Sequence, residues 1–311
     1  MSSPSDITPQ DPLDSRPVAN QPVSETRRLY WSIRRELWEN RSVYLAPLIV
    51  AAFVLFACLL GTISLPRRMR GVASPDPATH HMMAVGPSSA AAIPIMFVTF
   101  VVGVFYSIDA LYGERRDRSI LFWKSLPVSD RTTVLSKAAI PLVVLPLIAF
   151  VLGEIAQFIV LLFSTVVLIG NGLSAASLWS EFRFFQEPLV TFYHLMVHLL
   201  YLAPIYGWLL MVSAWARRTP FLWAVLPPIA FSMFERMVFR TSILTALLEN
   251  RVVGAMRAGF TAEWEHIGMP DRLSQLAPLR FVTSPGLWIG LIFTALFLAA
   301  AVRLRRNREP I

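Results

Sequence analysis

Six stretches of this sequence, 44–65, 92–112, 138–169, 189–215, 221–239 and 281–302, are almost wholly apolar. Each reaches the ~17–25 residues that a tilted helix needs to cross the hydrocarbon core of a bilayer. With 55% of its 311 residues apolar and only 15% charged, and with the apolar residues gathered in blocks, the chain is not an ordinary soluble globule. The blocks predict an all-α, polytopic membrane protein with six transmembrane helices. The third block is over-long and carries Pro141, Pro146 and Gly153, which predicts an interfacial lead-in or a kink before the span proper.

The net charge of +8 does not point to nucleic acid, because the basic residues flank apolar blocks instead of lining one polar face. Their distribution orients the spans. With the N-terminus inside, the cytoplasmic segments hold six Arg and Lys in 1–43, six in 113–137, two in 216–220 and four in 303–311. The opposite loops hold three in 66–91, one in 170–188 and five in 240–285. Both termini are therefore expected in the cytoplasm. Arg67, Arg68 and Arg70 are the exception, on the wrong side just after the first span. Residues 1–24 are rich in Pro, Ser, Asp and Gln and read as a disordered tail. That window has no apolar run of the signal-peptide kind, so the first span is expected to persist in the mature protein. The single cysteine, Cys58, allows no intrachain disulfide.

Two segments are neither spans nor simple loops. In 25–43, Tyr30, Ile33, Leu37 and Trp38 share one helical stripe, while Arg27, Arg34 and Arg41 recur every seventh residue on another. An interfacial amphipathic helix is expected, its arginines against anionic lipid head groups; a soluble helix packed on a partner is the alternative. The stretch 240–285 is too polar to span, yet Ile243, Leu247, Leu248, Val252, Met256, Phe260 and Trp264 keep a loose helical recurrence. Short amphipathic helices capping the outer face are expected there, shaping an exit path or packing on span ends. The basic tail 303–311 closes the domain that runs from 44 to 302.

The loop 113–137 reads GERRDRSILFWKSLPVSDRTTVLSK. Charged Glu114, Arg115, Arg116, Asp117 and Arg118 lead into apolar Ile120, Leu121, Phe122 and Trp123, then Lys124 and a break at Leu126-Pro127. A short helix and a turn are expected, with Ser129 or Asp130 capping the helix that follows. Four bulky apolar residues between basic ones require burial, partly in the lipid interface and partly as a knob suited to a groove on a soluble partner.

The run DALYGERRDRSILFWKSLPVSDRTTVLSK, 109–137, resembles the first cytoplasmic loop of ABC-2-type transporter permeases. The six-span layout and the amphipathic N-terminal helix match that family too, so the resemblance covers about 25–302. It implies a membrane subunit of a bacterial ABC exporter in the cytoplasmic (inner) membrane. Residues 114–124 would then be the coupling helix that docks on a nucleotide-binding subunit, and the 240–285 cap would correspond to the family's re-entrant outer helices. The Arg67–Arg70 cluster and the Pro-rich tail depart from the family pattern.

An ATP-binding cassette needs a Gly-rich loop ending in Gly-Lys-Ser/Thr, and the only lysines, Lys124 and Lys137, follow Trp123 and Ser136. ATP and Mg are therefore expected on a separate ATP-binding subunit, with no cofactor on this chain. The resemblance implies a homodimer or pseudo-dimer, its seam built from the first and fifth spans. No serine, metal or aspartate intramembrane-protease motif occurs, so an enzyme is not expected. The rival reading is a non-transporting membrane anchor or sensor that recruits a partner through the same loop.

Four constellations inside or beside the spans carry open alternatives. Glu154, the acid well inside an apolar block, reads as part of a substrate path or proton-linked site, or as a structural contact with Gln157 or another helix. Glu235 and Arg236 read as a gate or interface pair, or as solvated span-end charges. His194 and His198, four apart, share a helix face and suit a metal, or pack as hydrogen-bonded residues; no Glu follows His194 to complete a zinc-protease pattern. His80, His81, Met82 and Met83 suit copper, or a short flexible loop.

Overall fold

The computed structural model describes residues 24–71, 92–125, 128–181, 184–252, 254–261 and 273–307. In chain order the helices are α1 (Glu25–Glu39), α2 (Ser42–Thr62), α3 (Leu65–Gly71), α4 (Ala92–Arg116), α5 (Ser119–Ser125), α6 (Asp130–Ala139), α7 (Leu145–Gly170) and α8 (Ala176–Glu181). They continue with α9 (Gln186–Trp215), α10 (Pro220–Val238), α11 (Ile243–Val252), α12 (Gly254–Gly259), α13 (Pro278–Thr283) and α14 (Pro285–Asn307). No strand forms among the described residues; one isolated antiparallel bridge joins Phe260 and Leu276. Six helical runs are long and apolar enough to cross a membrane: α2, α4, α6–α7, α9, α10 and α14. The chain is a multi-pass membrane protein by this measure.

The third run departs most from its apolar block. Helix α6 starts at Asp130, well before residue 138, because Ser129 caps it by accepting the Thr132 N–H at 3.1 Å. A π turn, Ile140–Val144, then joins α6 to α7, closed by the Leu145 N–H on the Ile140 carbonyl. Pro141 and Pro146 bring no N–H and crowd the preceding turn, and the wider π turn lets the helix continue past both. The disturbance that the prolines foretell is therefore a π turn inside one 41-residue run. The last span is also displaced from its block. It begins at Pro285, and Phe281 belongs to α13, packed under the cap against Val197, Tyr201 and Leu287.

At the centre stands α9, with half of its most apolar window buried. It packs on α14 and on α4, while α2, α4 and α7 pack on one another. Gly207 permits the α9–α14 approach, since a Cβ there would already touch the Thr294 backbone at 3.4 Å. The outer members are α2 and α10, with only 17% and 11% of their apolar windows buried. Helix α3 turns back so that Leu65 and Met69 pack near Leu161 and Leu168 of α7. Its Arg70 donates to the Asn171 carbonyl at 2.6 Å, so one arginine of the exceptional basic cluster caps the end of α7.

Helix α1 lies against the bundle by a different face from the apolar stripe. Ile33 and Leu37 pack on Val43, Tyr106 and Leu145, but Tyr30 and Trp38 are exposed, and the most buried side chains of α1 are Glu36 and Ser32. The reason is electrostatic: Glu36 has partners on α4 and α6 that local sequence does not reveal. Arg34 stacks over both Trp31 and Trp38, at 5.1 and 4.8 Å, so the outward face combines a cation with two indoles. In the cap, Ala255, Phe260 and Phe281 are buried, whereas Ile243, Leu247 and Leu248 are exposed. The tail 1–23, the loop 72–91 with His80, His81, Met82 and Met83, Trp264, and residues 308–311 lie outside the described residues.

Candidate functional site

One end of the bundle gathers charges from four helices into a buried network. Lys137 of α6 lies 3.0 Å from Glu36 of α1 and 3.2 Å from Glu114 of α4. The Tyr106 hydroxyl donates to Glu36 at 2.9 Å. Arg305 of α14 donates to Glu114 at 3.1 Å and also pairs with Asp130 of α6. Arg35 completes the set, 2.8 Å from Glu36 and 3.9 Å from Glu114. Three inner acids thus face three bases, with Glu39 3.6 Å from Arg35 on the exposed rim, and near-neutrality of the inner set is what makes its burial tolerable. Burial alone would raise the Glu36 carboxyl, but Lys137 and Arg35 together outweigh it and hold the group below its ordinary value.

Arg115 anchors the same end to α9. It donates to the carbonyls of Ser213 and Ala216 at 2.8 and 2.5 Å, while the Ser213 hydroxyl accepts the N–H groups of Leu111 and Tyr112. These bonds satisfy carbonyls that the C-terminus of α9 leaves open. The charged end is a clamp on α1, α4, α6, α9 and α14.

The short helix α5 projects from this clamp. Helix α4 runs through Arg116, and the chain reverses at Asp117 and Arg118, the latter in the left-handed region at φ 57°. Helix α5 is then held from two sides. Arg35 lies over the Trp123 ring at 3.9 Å, and Lys124 donates to the Arg306 carbonyl at 3.5 Å. Ile120 is buried, whereas Leu121 and Phe122 are 59% and 60% exposed.

The ten residues singled out in 114–124 therefore divide. Glu114, Arg115 and Ile120 are buried and belong to the clamp; Trp123 faces α1; Arg116, Asp117, Arg118, Leu121, Phe122 and Lys124 are exposed. Sequence reasoning missed Glu36, Tyr106, Lys137 and Arg305. The one local hint was Lys137, one of two lysines in the chain.

A second site lies within the spans. A cavity of about 300 Å³ opens between α4, the π turn with the start of α7, and α9, where Phe100, Pro141, Pro146, His194, His198 and Tyr206 line it. Its wall is mainly apolar, with the two imidazoles, the Tyr206 phenol and the Thr99 hydroxyl as polar points. The histidine rings are 4.4 Å apart, and His198 Nδ1 meets the His194 carbonyl at 3.1 Å. No third His, Cys, Asp or Glu joins them as a metal-ligand group among the described residues. Such a cavity suits an apolar molecule with one or two hydrogen-bonding groups.

Glu154 does not line this cavity. Its neighbours are the Thr191 hydroxyl and Glu187 at the start of α9, and its Oε1, like Gln157 Oε1, is buried without a hydrogen-bond partner among the described residues. Of the two structural contacts expected for Glu154, the one formed is with another helix, α9, through Thr191; no hydrogen bond to Gln157 occurs among the described residues. Glu235 caps α11: it accepts the N–H groups of Ile243 and Leu244 and the Thr241 hydroxyl, so its carboxylate is occupied in holding the α10–α11 turn. Comparison of the chain with protein-family models, with curated proteins and with solved structures found no match.

Proposed function

We propose that this chain is the membrane-spanning permease subunit of an ABC exporter of the ABC-2 type, moving a substrate across the cytoplasmic membrane with ATP hydrolysed by a separate nucleotide-binding subunit. In this reading both termini and the charged end face the cytoplasm, and two permease chains assemble with two ATPase subunits. The observation that carries the proposal is the exposed Leu121–Phe122 pair on a helix pinned at its back by Arg35 and Lys124. An apolar knob in water needs a partner, and one pinned to α1 and α14 passes a push to the spans instead of absorbing it. The mainly apolar cavity beside His194 and His198 supports a lipid-like or amphipathic cargo.

The test is affinity purification of the chain from its native membranes, followed by ATPase measurement in liposomes. An ATP-binding cassette subunit should accompany it. Leu121→Ser with Phe122→Ser should lower recovery of that subunit about tenfold, as loss of an interface anchor does, while membrane insertion and thermal midpoint hold. A preparation devoid of a nucleotide-binding subunit, or one in which the double variant recovers it normally, rejects the proposal; the first outcome would leave the chain as an anchor or sensor.

A further inference from the structure

Every fully buried cation of the charged end has a polar partner: Lys137 and Arg305 meet carboxylates, and Arg115 meets two carbonyls. Arg251, on α11 at the other end of the bundle, is half-buried and differs in having no polar partner among the described residues. Its Nη1 is buried with no acceptor among the described residues, and no carboxylate there pairs with it. Its position is fixed instead by nonpolar surfaces. The guanidinium lies 5.5 Å from the centre of the Tyr201 ring and rests against the backbone of α14 at Gly290, where a Cβ would come within 2.3 Å of Nη1 and 2.9 Å of Nη2. Tyr201 is held in turn by Ser284, 3.3 Å from its hydroxyl.

Depth makes this arrangement informative. Gly290 lies more than a full turn inside α14 and roughly 22 Å along the helix from Arg305 at the charged end. The arginine of a cap helix therefore reaches into the span layer, beside a span residue whose missing side chain makes the room. An arginine stays protonated in any such setting. A cation at that depth is costly without a counter-charge, and where one persists it commonly marks the path of an ion or a charged ligand. The planar fork suits a phosphate or carboxylate, which it can grip through two parallel hydrogen bonds.

We propose that Arg251, framed by Tyr201 and Gly290, is the recognition point for the phosphate of an anionic amphipath whose chains lie along the bundle. The inference deepens the transport reading by naming a substrate class, but it concerns binding and holds or fails without any ATPase.

The test is lipid retention by the purified chain alone, in detergent, read by native mass spectrometry. Phosphatidylglycerol is compared with diacylglycerol of the same chains. Wild type should retain phosphatidylglycerol in clear preference to diacylglycerol. Arg251→Gln should lower that retention about tenfold, the scale of a lost hydrogen bond to a charged group. Gly290→Ala keeps the charge but displaces the guanidinium, so it should weaken retention in the same direction, and Arg251→Lys should retain part of it. Glycerol phosphate at millimolar concentration separates the sources: if it displaces the lipid, a free phosphate ester suffices as ligand, and if it does not, the chains are part of the ligand. Equal retention of the two lipids by wild type, or unchanged retention in both Arg251→Gln and Gly290→Ala, overturns the proposal. That result would leave the ATPase-recruitment test untouched.

Discussion

Glu36 has no exposed side-chain surface, yet it is ionised among three inner acids and three bases, with Glu39 on the exposed rim. Removing one member leaves its partners charged and buried, so the loss exceeds what the pair contributes. Glu36→Gln should therefore destabilise the chain by about 3 kcal/mol, at the low end for a broken buried pair because Glu114 remains to face Lys137. Glu36→Gln combined with Lys137→Met should cost less than the sum of the single changes. The sign with pH follows from the lowered carboxyl: its contribution is complete above the ordinary carboxylate value and is lost as pH falls through the depressed folded value. The thermal midpoint in detergent should thus hold steady near neutrality and drop below about pH 4, and the drop should be shallower in Glu36→Gln. Additive single-variant losses, or identical pH profiles, contradict this account. Nothing near Glu36 in the sequence announces its role, since Tyr106 and Lys137 stand 70 and 101 residues away.

Among the elements, α6–α7 joins the two sites. Lys137 closes the charged clamp, and the π turn that follows within one turn of helix forms a wall of the cavity. The sequence announced a disturbance through Pro141 and Pro146 but not its form, because a π turn and a kink into an interfacial segment satisfy the same missing N–H groups. The two prolines hold this shape at a cost in helix stability. Replacing both with Ala restores two donors and removes the crowding of the preceding turns, so the run should straighten toward an ordinary helix. The thermal midpoint should rise, in line with gains of about 0.5–2 kcal/mol from relieving such sites, while ATPase stimulation in liposomes falls. A lower midpoint with full activity would show that the π turn is a relaxed part of the fold and has no part in coupling. Helix α5 illustrates the opposite limit of legibility. Its existence and its apolar content were readable from ILFW between charged residues, but the inward turn of Ile120 and Trp123 required knowing that Arg35 would be there.

In the whole molecule, the six spans were readable because a bilayer imposes one length and one chemistry on any helix that crosses it. The charged network was not, because Glu114 and Arg305 are 191 residues apart and meet only after α4 and α14 have packed. A third property, the pairing of spans with lipid or with a second copy, follows from which faces the bundle leaves uncovered. The first and fifth spans are those faces, at 17% and 11% buried, with Phe53 and Phe56 outward on α2 and Phe231 and Met233 outward on α10. Lipid alone would cover them adequately, since acyl chains are as apolar as these side chains. A second copy is the occupant that the permease reading requires. Cys58 is the only native thiol, so a Cys58→Ser chain accepts single introduced cysteines without background. Phe53→Cys and Phe231→Cys, each placed in that chain and oxidised in native membranes, should give disulfide-linked dimers. A control cysteine at exposed Ile155 of α7 should leave the chain monomeric. Cross-linking at Ile155 but not at residues 53 and 231 would move the seam to the opposite side of the bundle. Absence of any cross-link would leave α2 and α10 facing lipid and would count against the two-permease assembly.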